Sequence, residues 1–432
     1  MCRRRSSWAL AGFAIAAAAI AGSSIVSLDH DAIEYSKRPV DDPVERLQKR
    51  LNSGEARLTF EGERGYLESV LKALSVPVES QVLVFSKTSF QAPRIAPRLP
   101  RAIYFNDSVS VGWVRGGDVL ELAAVDPKQG VIFYTLDQEP SGKPRFERRD
   151  TCLQCHQSGA TEGVPGLVVR SVFPEPSGMP QFHAGTFVTD HRSPLKERWG
   201  GWYVSGTHGS QTHMGNAVVR DREKPGVLET EGTQNLTTLQ GRFDTGAYPA
   251  PHSDIVALMV LEHQTRMTNL ITRLGFETRM ALHDNAAINK ALGRPVGEFS
   301  ESTIRRIHSP AEELVEYMLF ANEARWTEPV RGVSGFAEKF PAAGIRASDG
   351  RSLRDLDLRT RLFRYPCSFL IYSEAFDNLP PTARDRVYRR LWEVLTGRDA
   401  SAKFANLSKA DRTAIREILL ATKENLPDYW RQ

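Results

Sequence analysis

The chain has 432 residues, 41% hydrophobic and 25% charged, with a mean hydropathy of −0.36, which excludes bulk disorder and leaves ample material for a buried core and two or three domains. Its formal charge of +4 comes from 56 basic and 52 acidic side chains, but Arg3, Arg4 and Arg5 lie in an acid-free stretch, so residues 22–432 carry 53 against 52. A near-neutral chain gives no basis for nucleic acid as a partner, because that binding rests on neutralising phosphates.

Residues 1–21 read as an export signal. A short basic start is followed by a continuous apolar run from Trp8 to Ala21, and Ala19-Ile20-Ala21 supplies small residues at a cleavage site. The rival reading is an uncleaved anchor, since the weakly polar stretch to Val26 is almost long enough to span a bilayer. Either way the remainder is expected outside the cytoplasm, in the periplasm, with membrane contact only if the anchor is retained. The paired arginines hint at twin-arginine export, although the residues after them fit that signal poorly.

Residues 22–95 form an N-terminal segment, polar over 29–58, with a short helix expected from Val44 to Leu51. Residues 96–250 are β-rich. Strands are expected over 101–105, 109–114, 120–125 and 130–136, with Asp126 to Gly130 as a turn, and again over 166–173, at 187–188 and over 201–206. Residues 251–432 change to helical period. Ser253-Asp254 opens a helix to Leu274, and further helices are expected at 276–292, 301–326, 381–396 and 408–424. The Gly- and Pro-rich stretch 329–352 reads as a long surface connection, and the charge-alternating run Arg384 to Arg390 as a solvated face. The expected fold is α+β, a β-rich region followed by a helical one.

The chemistry concentrates in Thr151-Cys152-Leu153-Gln154-Cys155-His156, inside the β-rich region. In C-x-x-C-H two thiols sit one helical turn apart and reach the two vinyl groups of a haem, and the histidine falls under the iron. A redox dithiol wants a long helix after the pair, which Gln157-Ser158-Gly159-Ala160 does not begin well. A zinc site wants a second pair of ligands at metal spacing, and no other cysteine pair exists. Cys2 belongs to the signal. Cys367 is left alone in an apolar run and reads as a small buried hydrophobe.

With its signal peptide and residues 152–156, the sequence resembles the c-type cytochromes. The resemblance implies one covalent haem c, with Cys152 and Cys155 as attachment points and His156 as proximal ligand. It does not extend to the small-cytochrome fold, because 130 residues separate the predicted cleavage point from Cys152.

The sixth iron ligand decides between carrier and enzyme. Met214 follows His156 by 58 residues, a spacing compatible with the loop methionine of small cytochromes. His208 and His213 share its glycine-rich segment. His263 lies on the apolar stripe of the helix that starts at Asp254, where a satisfied core histidine is the competing reading, and Glu262 faces another side of that helix. His183, Asp190, His191 and Arg192 are a pocket lining or a charged turn. Trp199-Gly200-Gly201-Trp202-Tyr203 packs on a porphyrin edge or in sheet core. The expected function is one-electron transfer with a redox partner protein or a membrane-linked donor or acceptor. A peroxidase-like enzyme, a small-oxide reductase and a haem sensor, each with an open iron, are the alternatives.

Overall fold

Asp42 starts the first helix, α1 (Pro43–Ser53). Its carboxylate accepts from the N–H groups of Val44 and Glu45 at 2.8 and 3.1 Å, proline occupies the first turn, and Gly54 closes the helix in the left-handed conformation. These features belong to a computed structural model that describes residues 24–140, 143–295 and 297–432. The predicted export signal and Cys2 lie outside the described residues. Among the described residues no helix is long and apolar enough to cross a membrane.

Helix α2 (Leu67–Ala73) and strand β1 (Val82–Val84) follow, neither expected from the sequence pattern. Strands β2 (Arg101–Phe105), β3 (Val109–Trp113), β4 (Val119–Asp126) and β5 (Gly130–Asp137) form the antiparallel meander that the alternation predicted. Asp126 makes the β4–β5 turn, its Oδ1 accepting from Lys128 and Gln129 N–H at 2.8 and 2.7 Å. After β6 (Phe146–Arg148) comes a one-turn helix, α3 (Leu153–His156), which carries the second thiol and the histidine. The hairpin β7 (Arg170–Val172) and β8 (Thr186–Val188) stands apart as its own two-stranded sheet, and β9 (Trp202–Tyr203) pairs with β1. The main sheet has seven strands in the order β6-β5-β4-β3-β2-β1-β9. The strands expected over 166–173 and 201–206 are therefore much shorter than their apolar runs. The backbone of Gly166 and Leu167 is taken instead by His156 and Asn269.

The second half is helical. Helix α4 (Ile255–Leu292) is one continuous helix of 38 residues, not the two expected with a break near Gly275. Burial on every side from Ile255 to Thr265 marks it as a core helix, and that packing outweighs the low propensity of one glycine. Asp254 caps it, and its other oxygen accepts from Val333 and Ser334 N–H. Helix α5 (Glu301–Met318) stops short of the expected 326, with Phe320 and Asn322 at positive φ beyond its end. The stretch 329–352 is not all surface connection, because it contains α6 (Phe336–Ala342), which buries Phe336 and Phe340. Short α7 (Glu374–Asp377) precedes α8 (Pro381–Leu395) and α9 (Lys409–Thr422). The run Arg384 to Arg390 is not wholly solvated, since Val387 and Tyr388 are buried and Arg390 pairs with Glu312 and Asp399. Cys367 is fully buried, as expected of a small hydrophobe.

The fold is thus α+β, and the sheet has two apolar faces. Tyr104, Val111, Leu122 and Tyr134 pack with α1 and α2 in one core, while Val82, Val84 and Phe105 join α4, α5 and α8 in the other. The second face continues across β4 and β5, and there it meets the cysteine turn.

Candidate haem site

Register decides which residues form the floor under that turn. Gly112 pairs with Glu121 and Glu121 with Thr135, while Ala123 pairs with Phe133 and Val125 with Val131, so all seven project to one face. Arg101 of β2 lies on the same face, its guanidinium across Gly112 and paired with Glu121; a Cβ at Gly112 would run into it. Ser89 Oγ and Gln91 Nε2 both donate to Glu121 at 3.0 Å. Arg149 Nε donates to Thr135 Oγ1 at 2.9 Å.

The chain leaves β6, and Arg149 N–H donates to the Phe133 carbonyl at 2.8 Å, which sets the turn over β5. Residues 150–152 form a 3-10 turn that runs directly into α3. Cys152 is half-buried and packs with Leu153 and Leu167 on Ala123, Val131 and Phe133, whereas Cys155 is exposed. Burial pushes the Cys152 thiol up from its ordinary value, with Glu121 adding to the effect. Neither cysteine is in a disulfide.

His156 is held from two sides. Its ring leans on Phe133 with centroids 4.8 Å apart, and its Nδ1 lies 2.9 Å from the Gly166 carbonyl. A carbonyl can only accept, so Nδ1 carries the proton and donates it, and Nε2 is left as an unprotonated donor atom. Burial also pulls the imidazole below its ordinary range, opposed by the Gly166 bond, which favours the neutral ring a metal requires.

These residues fit a haem attached by C-x-x-C-H. Neither thiol is tied up in a disulfide, Cys155 is exposed and Cys152 half-buried, the histidine has the tautomer that frees Nε2, and apolar Ala123, Val131, Phe133 and Leu167 lie beside them. Arg101 and Arg170 are close enough to act on His156, and Arg101 and Arg149 on Cys152. Arg101 Nε is buried with no partner, a donor suited to a carboxylate such as a haem propionate.

The four candidate sixth ligands have other hydrogen-bond partners. Met214 is buried, and its sulfur accepts from Ser171 Oγ at 3.4 Å. His213 Nδ1 accepts from Gly215 N–H at 3.0 Å, and His208 Nε2 accepts from Asn235 N–H at 3.2 Å. The two rings touch at 4.7 Å, and His213 also meets the Trp199 edge at 5.5 Å. Burial and the neighbouring His208 push His213 down to about 3. His263 has both ring nitrogens engaged: Nδ1 meets His191 Nδ1 at 3.0 Å and Nε2 meets Ser368 Oγ at 2.8 Å. It stacks on Phe320 at 4.4 Å, and burial pushes it down to about 3. Among the described residues, no hydrogen bond or ring contact joins His208, His213, Met214 or His263 to the Cys152–His156 turn.

The remaining polar residues divide between two places. His183 is exposed in the β7–β8 connection, as is Met179, a donor the sequence reading did not single out. Asp190 does form a turn, donating its N–H to Ser193 Oγ at 3.1 Å, but the turn is buried and delivers His191 to His263. Glu262 and His263 point to different partners, Arg198 and His191. Trp199 and Trp202 belong to the helical core.

Pattern reading also missed Arg101, Glu121, Phe133 and Gly166. Arg101 and Glu121 carried a signal, since each is a charge at an inward position of an otherwise apolar strand. No family model matches this chain, and neither a curated protein nor a solved structure matches it.

Proposed function

We propose that this chain is a periplasmic monohaem c-type cytochrome that passes single electrons to and from a redox partner protein or a membrane-linked carrier. Cys152 and Cys155 hold the haem through thioethers and His156 Nε2 binds the iron. The observation that carries this reading is the 2.9 Å contact from His156 Nδ1 to the Gly166 carbonyl, which leaves Nε2 as the free donor beside two cysteines outside any disulfide. A histidine that serves as a metal ligand commonly donates its second nitrogen in this way, which orients the ring and raises its basicity.

When bound, the haem supplies a reversible one-electron iron couple. The chain's own residues set its surroundings. Phe133 and Gly166 fix the plane of the His156 ring, Ala123 and Val131 exclude water from that side, and Arg101, Arg149 and Arg170 supply positive charge for the propionates.

One observation favours the second reading, a haem enzyme or sensor with an open iron. Each of the four internal donors has a hydrogen-bond partner outside the Cys152–His156 turn, and His263 has both ring nitrogens engaged.

The test is the visible spectrum of the exported protein, oxidised and reduced, with carbon monoxide added last. The carrier reading expects a low-spin ferrous spectrum that ignores carbon monoxide. A high-spin ferric spectrum with rapid carbon monoxide binding selects the open-iron reading. Cys152→Ala with Cys155→Ala should abolish covalent haem, and haem staining that survives both changes overturns the proposal.

A further inference from the structure

The partner of His156 is itself held by a residue that no motif marks. Gly166 donates its N–H back to the His156 carbonyl at 2.9 Å, so the two residues are joined by two hydrogen bonds. The peptide that carries the Gly166 carbonyl and the one after it are both gripped by Asn269 of α4, which is 2% exposed. Asn269 Oδ1 accepts from Leu167 N–H at 3.1 Å, and its Nδ2 donates to the Leu167 carbonyl at 2.7 Å. A Cβ on Gly166 would run into that amide, so glycine is what lets the helix come so close.

The grip extends along one face of α4. Residues 266, 269 and 273 are spaced by three and four and so lie on one stripe. Arg266 Nη2 pairs with Glu162 Oε1 at 2.6 Å, and Arg273 Nη1 reaches Glu162 Oε2 at 3.5 Å. The segment that returns from His156 to Gly166 is thus tied at Glu162 and at Leu167 to the long core helix α4.

We infer that Asn269 is a positioning residue that sets the reduction potential of the haem, by holding the Gly166 carbonyl on His156 Nδ1–H. The inference rests on the c-type cytochrome reading. The physical link is electronic. A firm acceptor on Nδ1–H makes the imidazole a stronger donor to iron, which stabilises the ferric state and lowers the potential. Without the Asn269 amide, the Gly166–Leu167 peptide loses the bond to its N–H that fixes its plane, and the following peptide loses the bond to the Leu167 carbonyl. The carbonyl then drifts from Nδ1, the imidazole donates less, and the ferrous state gains.

The experiment compares haem-loaded wild type, Asn269→Ala and Asn269→Ser, with Asn285→Ala as a control on the same helix, where the amide donates to the Glu298 carbonyl. Midpoint potentials are read by spectroelectrochemistry, and the His156 Nδ1–H resonance is read by NMR in the ferrous protein. Asn269→Ala should shift the one-electron equilibrium toward the reduced form by up to about tenfold, which is about 59 mV, and move the Nδ1–H resonance toward its unbonded position. Asn269→Ser should fall between, and Asn285→Ala should change neither. Haem-loaded Asn269→Ala with wild-type potential and wild-type resonance overturns the inference while leaving the cytochrome reading intact. Should that variant not fold, a freely exchanging Nδ1–H in the wild-type protein overturns it instead. A wild-type chain that takes no covalent haem removes the reading underneath, and the inference goes with it.

Discussion

Arg198 Nη1 donates to Glu262 Oε2 at 2.9 Å, and both side chains are closed to solvent, at 2% and 0% exposure. Arg198 is also satisfied by the carbonyls of His191 and Ser193, whereas burial pushes the Glu262 carboxyl up to about 7 against the pull of Arg198. The pair fastens the segment that follows the hairpin to the face of α4.

Removing one partner should therefore cost more than removing both. Arg198→Met leaves a buried carboxyl without its cation and should cost about 3–5 kcal/mol. The double change with Glu262→Met should recover much of that loss. Urea denaturation of the three chains measures it, and a single-variant cost below 1 kcal/mol would show that the pair contributes no such constraint.

His213 should contribute to acid sensitivity, as should the buried His263 and His191. The folded value of His213 is about 3, below the ordinary 6.5, so the unfolded chain binds more protons between those limits. The contribution is present above pH 6.5 and is lost as pH falls. Glu262 works in the opposite sense between 4.5 and about 7, and His263 and His191 in the same sense as His213, so the wild-type slope alone mixes several groups. The stability gap between wild type and His213→Gln should shrink by about 2 kcal/mol between pH 7.5 and 5.0. A gap that stays constant across that range contradicts the assignment.

Phe340 separates the observed helix α6 from the expected surface connection. Its ring stacks on Phe336 at 5.4 Å and meets the edge of Phe369 at 5.1 Å, with 7% exposure. Phe340→Ala should cost about 3–5 kcal/mol, as for other large-to-small changes in a core. Thermal and urea unfolding provide the number; a cost within 0.5 kcal/mol is what a surface connection would give.

Gly166→Ala tests how closely the segment that bonds to His156 approaches α4. The added methyl meets the Asn269 amide and, at 3.2 Å, Thr161 Cβ, so one of them must move. Overpacking of this kind costs about 1–3 kcal/mol. Covalent haem per chain, measured by pyridine haemochrome, should fall together with the unfolding midpoint. Full loading at wild-type stability would mean that the contact is loose.

The tertiary structure corrected the sequence reading where burial and periodicity part company. The run from Gly166 to Phe173 looks like one strand, yet only Arg170 to Val172 pair, because the first residues bond to His156 and Asn269 instead of a neighbouring strand. Gly275 looks like a break, yet α4 runs through it, because burial on all sides supplies more than propensity takes away. Phe336 and Phe340 sit among turn residues, and only packing against Phe105 and Phe369 shows that they are core.

By itself the sequence determined what is local. The β2–β5 meander follows from two-residue alternation, the start of α4 from an Asp cap, and the thiols and histidine of the candidate haem turn from their spacing, since each depends only on residues within a turn or two. The tertiary structure decided what is long-range. It set which nitrogen of His156 is free, brought Arg101 and Glu121 to the floor of the turn, and turned Met214, His208, His213 and His263 toward other partners. Apart from the His156–Gly166 and His213–Gly215 bonds, which span 10 and 2 positions, those outcomes depend on contacts 20 to 105 positions apart, and no local pattern of side chains encodes which distant partner reaches a given atom first.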